Sequence, residues 1–175
     1  MNTRLAQLFN ALENQRADLL RLVNDISPEA ANKSRQGKWS IAQVLSHLIA
    51  SEQLSIRYLN KKILGIDIAP KTGIIEELKM IVLKISQRLP FKFKAPKVVV
   101  ENTPVYEHVE QLAEAWNQTR ADLKTVLEKF QDNQINRKVY KHPFAGMLNI
   151  QQALKFFQEH ITHHTPQVKK LLKQS

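Results

Sequence analysis

The chain has 175 residues, 43% of them hydrophobic and 24% charged, with a formal net charge of +10. This composition fits a folded soluble protein rather than a disordered one, and the length fits one domain over residues 1–175. There is no cysteine, which excludes disulfide frameworks and zinc–thiolate sites, so any metal must be held by nitrogen and oxygen.

Glycines and prolines are few and lie mostly between periodic segments, a pattern that predicts long helices with punctuated connections. The first helix is expected over 3–24, where Leu5, Leu8, Leu12, Leu19, Leu22 and Val23 form a stripe at helical spacing. Ser27 and Pro28 then read as the N-cap and first position of a short helical turn. After the loop KSRQGK, a second helix is expected over 41–60. Ser40 and Gln43 have capping-box spacing there, and Ile41, Val44, Leu45, Leu48 and Leu59 supply the buried face. The next 40 or so residues are too many for a plain bundle loop. They contain an amphipathic segment, 73–89, with Ile74, Leu78, Ile81, Ile85 and Leu89 on one face, followed by the basic run PFKFKAPK. Thr103 and Pro104 signal the start of a third helix, 104–130, whose stripe includes Val105, Val109, Leu112, Trp116, Leu123 and Phe130. A fourth, 150–173, follows Asn149 as N-cap, with Ile150, Leu154, Phe157, Ile161, Val168 and Leu171 facing inward. The expected fold is all-α: a four-helix bundle with a long, partly helical crossover between its second and third helices, which excludes simple up-down connectivity.

No apolar run is long enough to span a bilayer, and the opening MNTRLAQLFNALENQ has no signal-peptide hydrophobic region, so the expected location is cytoplasmic. Much of the positive charge lies in 61–97, where nine lysines and arginines stand against Asp67, Glu76 and Glu77. A basic patch attracts phosphate, so nucleic acid or an anionic surface is one reading. Lysines spread over a solvated surface are the plainer one.

Three of the six histidines fall within FFQEHITHHTPQ. Position 164 is seven residues from both Phe157 and Leu171, so His164 points inward. His160 lies one turn earlier on the same side, with β-carbons roughly 5–6 Å away. His163 is about one hundred degrees round the helix from His164, towards a flank or solvent, and is a candidate for lining the site rather than for ligation. His47, in QVLSHLIASE, is one turn after Val44 and near the boundary of the buried face of the second helix. Two inward histidines on one helix and one on another make a three-nitrogen site with a position left for water or substrate, an arrangement of catalytic rather than structural zinc. The plainer alternative for each is a hydrogen-bonded core histidine. Two adjacent imidazoles in an apolar stripe, however, need partners to offset desolvation. The expectation is one divalent ion per chain, on His47, His160 and His164. Glu52, five residues past His47, is a candidate base or acceptor behind the ligands, with a solvated glutamate as the plain alternative. His108 and His142 read as surface or loop residues, His142 with a possible lining role. No serine–histidine–acid arrangement, phosphate loop or nucleotide fingerprint is present, and no catalytic residue is assigned.

GKWSIAQVLSHLIASE, followed far downstream by HPFAGMLNIQQALKFFQEHITHHTPQVKKLL, resembles the DinB-like superfamily, including its metal-dependent hydrolase and thiol S-transferase branch. The likeness is close over the second and fourth helices and the glycine-containing loop, and elsewhere extends only to helical pattern. It implies a four-helix bundle, often dimeric, binding zinc or nickel through three histidines. The ligand of the tryptophan-led helix falls on His47, and the two in the HxxHH segment fall on His160 and His164. The chemistry implied is activation of water or a low-molecular-weight thiol against a small substrate. A non-catalytic protein, stapled by its metal and docking through its basic crossover, is the alternative.

Overall fold

The computed structural model describes residues 1–34, 38–88 and 97–174, with Gln87 described by its backbone alone. Four long helices dominate: α1 (Thr3–Leu22), α3 (Ile41–Lys62), α6 (Val109–Glu128) and α7 (Ile150–Leu172). Between them lie the short α2 (Pro28–Asn32), a 3-10 segment (Ile63–Ile68), α4 (Ile74–Arg88), α5 (Lys97–Glu101) and a hairpin of β1 (Tyr140–His142) and β2 (Gly146–Leu148).

The helix starts are fixed by side chains that satisfy the first free N–H groups. Ser40 Oγ accepts from Gln43 N at 3.1 Å, while Gln43 Oε1 accepts from Ser40 N at 2.8 Å. Asn149 and Gln152 make the same reciprocal pair at the head of α7, at 2.9 and 3.1 Å. These two boxes set where the two histidine-bearing helices begin, and so the register of their histidines.

Among the four long helices, α1 packs on α7 and more lightly on α6, and α3 packs on both α6 and α7. Round the bundle the order is therefore α1, α7, α3, α6, and two of the three chain connections run across a diagonal. The diagonal links are 23–40, which holds α2, and 129–149, which holds the hairpin; the longest link, 63–108, joins the neighbours α3 and α6. Leu5, Leu12, Leu45, Leu48, Leu112, Trp116, Leu123, Leu154 and Phe157 form one continuous core.

Three elements differ from the sequence pattern. Helix α6 begins at Val109, not at 104, because Thr103 closes the preceding helix: its Oγ1 donates to Val99 O at 2.8 Å. The turn HPFAG is a hairpin, Tyr140 pairing with Leu148 and His142 with Gly146, and Gly146 takes the left-handed φ of 77° that the turn requires. Helix α4 occupies the expected crossover, although Leu89 and most of the basic run lie outside the described residues. Its apolar stripe faces outward, Ile74, Leu78, Ile81 and Ile85 all being exposed. Met80 and Leu83 are its buried apolar residues, and it packs on α7, where Lys84 and Arg88 both reach Glu159, at 3.5 and 3.1 Å.

Candidate metal centre

Seven residues separate Ser40 from His47, so the cap that starts α3 delivers that imidazole two turns into the bundle, where it is buried. On α7, His160 and His164 are one turn apart, and α7 packs against α3. The three side chains meet. One ring nitrogen from each lies within 4.8 Å of the others, and Nε2 of His47 stands 3.2 Å from Nε2 of His160. Ring centroids are separated by 5.1 Å (His47–His160), 5.2 Å (His47–His164) and 4.9 Å (His160–His164).

Electrostatics keep these rings neutral. Burial pushes His47 down to about 4, and the neighbouring His164 and His163 add repulsion. Burial likewise takes His164 down to about 4. His160 is held well below the usual range by desolvation, then by the like charges of His164 and His47. Neutral imidazoles with converging lone pairs are what a metal requires.

The donors fit a divalent ion on distance as well. A tetrahedral centre with bonds of ~2.0–2.1 Å places its ligand nitrogens about 3.3 Å apart, close to the 3.2 Å between the His47 and His160 nitrogens. One further observation agrees. His164 Nδ1 donates to Gln167 Oε1 at 2.9 Å, which leaves the lone pair of the neutral ring on Nε2. His47 Nδ1, by contrast, is buried without a hydrogen-bond partner among the described residues.

Aromatic rings bracket the cluster. Trp39 lies 4.9 Å from His47, and Phe156 stacks on His160 at 5.6 Å with an interplanar angle of 12°. Sequence reasoning missed Trp39, Phe156 and Gln167. Phe156 and Gln167 stand at i−4 and i+3 from His160 and His164, spacings that put side chains in contact on any helix. Trp39 also lines a cavity of about 230 Å³ with Ser40, Ser46, Pro104, Val105 and Tyr106.

The other candidates stand apart from the three-nitrogen group. His163 is half-buried, its ring 4.9 Å from that of His164. Glu52 is not solvated. It sits on the stripe of Leu45 and Leu48, fully buried, accepting from Trp116 Nε1 at 3.1 Å and Arg120 Nη2 at 2.9 Å, and it thereby ties α3 to α6. Burial raises its carboxyl pKa against the opposing pull of Arg120. His142 is buried in β1 rather than on the surface. Its Nδ1 accepts from the backbone N–H groups of Phe144 and Ala145 at 3.2 and 3.0 Å, and its ring packs edge-on against Phe156 at 4.4 Å. His142 thus supports Phe156, which in turn backs His160. His108 is exposed at the head of α6.

A family model of the DinB superfamily matches residues 11–168 of this chain. No curated protein and no solved structure matches it.

Proposed function

The chain belongs to the DinB superfamily, and from that premise we propose that it is a metal-dependent enzyme acting on a small molecule, a hydrolase or a thiol S-transferase working as a homodimer. The observation that carries the proposal is the meeting of three neutral, inward imidazoles from two helices. His47, His160 and His164 would hold one divalent ion, with zinc and nickel the preferred candidates because both suit imidazole. Bound there, the ion supplies Lewis acidity that makes hydroxide or thiolate accessible near neutral pH.

The chain's own residues do the rest. The capping boxes of α3 and α7 fix the register of the ligands, and Gln167 orients His164. Trp39 and Phe156 exclude water from two sides of the cluster and lower the local dielectric, which strengthens electrostatic interactions inside it. The cavity beyond Trp39 offers room for a small substrate with an apolar body, between Tyr106, Pro104 and Val105, and a polar end near Ser40 and Ser46.

The test is turnover of a low-molecular-weight thiol with a model electrophile, alongside ester hydrolysis. Activity that disappears on chelation and returns with one equivalent of metal supports the reading. Inactivity on both substrate classes, combined with steeply salt-sensitive binding to nucleic acid, would favour the non-catalytic alternative instead.

A further inference from the structure

Helix α4 is amphipathic in the inverted sense. Its charged side is turned onto the body of the protein: Lys84 and Arg88 pair with Glu159, Glu76 pairs with Lys138 at 2.8 Å, and Glu77 accepts from Gln152 at 2.8 Å. Its outer side carries Ile74 (80% exposed), Ile75, Leu78, Ile81, Val82 (66%) and Ile85 (54%). Together these expose roughly 700 Å² on one helix, near the ~800 Å² per partner of a standard interface and beyond what monomers usually leave bare.

The spacing identifies an occupant. Ile74, Leu78, Ile81 and Ile85 follow one another at intervals of four, three and four, the seam of a two-stranded coiled coil. That series reads the same in both directions. Two copies crossing antiparallel about a twofold axis therefore set Ile74 against Ile85 and Leu78 against Ile81, and an isologous contact needs this self-complementarity. The flanks agree. Ile75 and Val82 occupy one flank and Glu77 and Lys84 the other, so antiparallel pairing brings Glu77 of one copy beside Lys84 of the second, twice. A parallel pair would set these charges against apolar positions. An anionic lipid surface fits less well, since the flank of this face carries the acidic Glu77 as well as the half-exposed Lys84 rather than basic residues alone.

We propose that the outer face of α4 is the homodimer interface of this protein, an antiparallel pair of α4 helices with Ile74 opposite Ile85 and Leu78 opposite Ile81. The pairing rests on the homodimer named above and is independent of the histidine chemistry.

The full-length protein tests it in solution. Light scattering should give twice the 20.2 kDa chain mass, and Ile81→Asp should halve it with helical content and metal uptake unchanged. The chain has no cysteine, so Ile74→Cys and Ile85→Cys report register without background. A short bismaleimide should cross-link the mixture of the two variants, and neither alone, because the two positions are about 16 Å apart along one helix. A monomeric wild type, a dimer that survives Ile81→Asp, or cross-linking of each variant with itself would overturn the proposal. A monomer that floats with anionic vesicles would assign the face to a membrane. Loss of the dimer with metal uptake intact bears on this face alone, whereas loss of metal uptake with the dimer intact bears on the histidine site alone.

Discussion

Removing Arg120 should expose how α3 is anchored. Arg120 is 2% exposed, and its guanidinium reaches Glu52 at 2.9 Å and Glu13 at 3.4 Å. In Arg120→Met the Glu52 carboxylate keeps only the Trp116 indole as partner in a fully buried position. Breaking a buried pair from one side costs about 3–5 kcal/mol, because the surviving charge is left uncompensated. The double variant Glu52→Leu/Arg120→Met leaves an indole N–H without its acceptor, at roughly 1–3 kcal/mol, and should be more stable than Arg120→Met. The sign of the pH dependence is fixed too. Burial already raises the Glu52 pKa above 4.5 and Arg120 opposes that shift, so the variant's carboxyl is raised further. A group whose folded pKa is raised contributes stability at low pH that is lost as pH rises through the folded value. The deficit of Arg120→Met should therefore shrink as pH falls from 7 towards 4.5. Urea unfolding followed by circular dichroism at both ends of that range measures it. A deficit under about 1 kcal/mol, a deficit independent of pH, or a double variant less stable than the single would refute the reasoning.

Three further outcomes are expected. His142, held down to about 4 by burial, contributes stability that is full above its ordinary 6.5 and lost as pH falls from there towards 4, by up to about 3 kcal/mol. Acid unfolding of His142→Leu should accordingly be shallower than that of wild type. Ser40→Ala removes half of the box that starts α3 and should cost about 1 kcal/mol, a fall of roughly 2–4 °C in thermal midpoint. Phe156 is half-buried against His142 and Phe157, so Phe156→Ala should free one face of His160 and destabilise the protein by about 1–3 kcal/mol, less than truncation of a fully buried phenylalanine; calorimetry checks it.

Periodicity located α1, α3, α4 and α7 to within two residues, because long amphipathic helices with side-chain caps write their limits into the sequence. The head of α6 was not legible. Thr103–Pro104 has the form of a start signal, and only the path of the chain reveals that Thr103 closes α5 instead. The hairpin was hidden because three-residue strands are too short for alternation to register. His160 and His164 could be paired from the sequence, since i and i+4 on an apolar stripe share a face in any straight helix, whereas the meeting of His47 with them is set by the packing of α3 on α7. Glu52 could not be placed, because a carboxylate on a buried stripe is explained only by the guanidinium that another helix supplies. His142 likewise acquires its role from two backbone N–H groups in a turn.

The central claim is that His47, His160 and His164 hold one divalent ion, and metal stoichiometry across single variants tests it most directly. Wild-type protein titrated with zinc or nickel should take up about one equivalent per chain. His47→Ala, His160→Ala and His164→Ala should each lose tight uptake, together with the thermal stabilisation that metal confers on wild type, about 2.7 kcal/mol at a hundredfold excess over Kd. His163→Ala, one residue from His164 and outside the three-nitrogen group, should bind as wild type does. A wild type that takes up no metal, or uptake that survives each of the three ligand substitutions, would contradict the account.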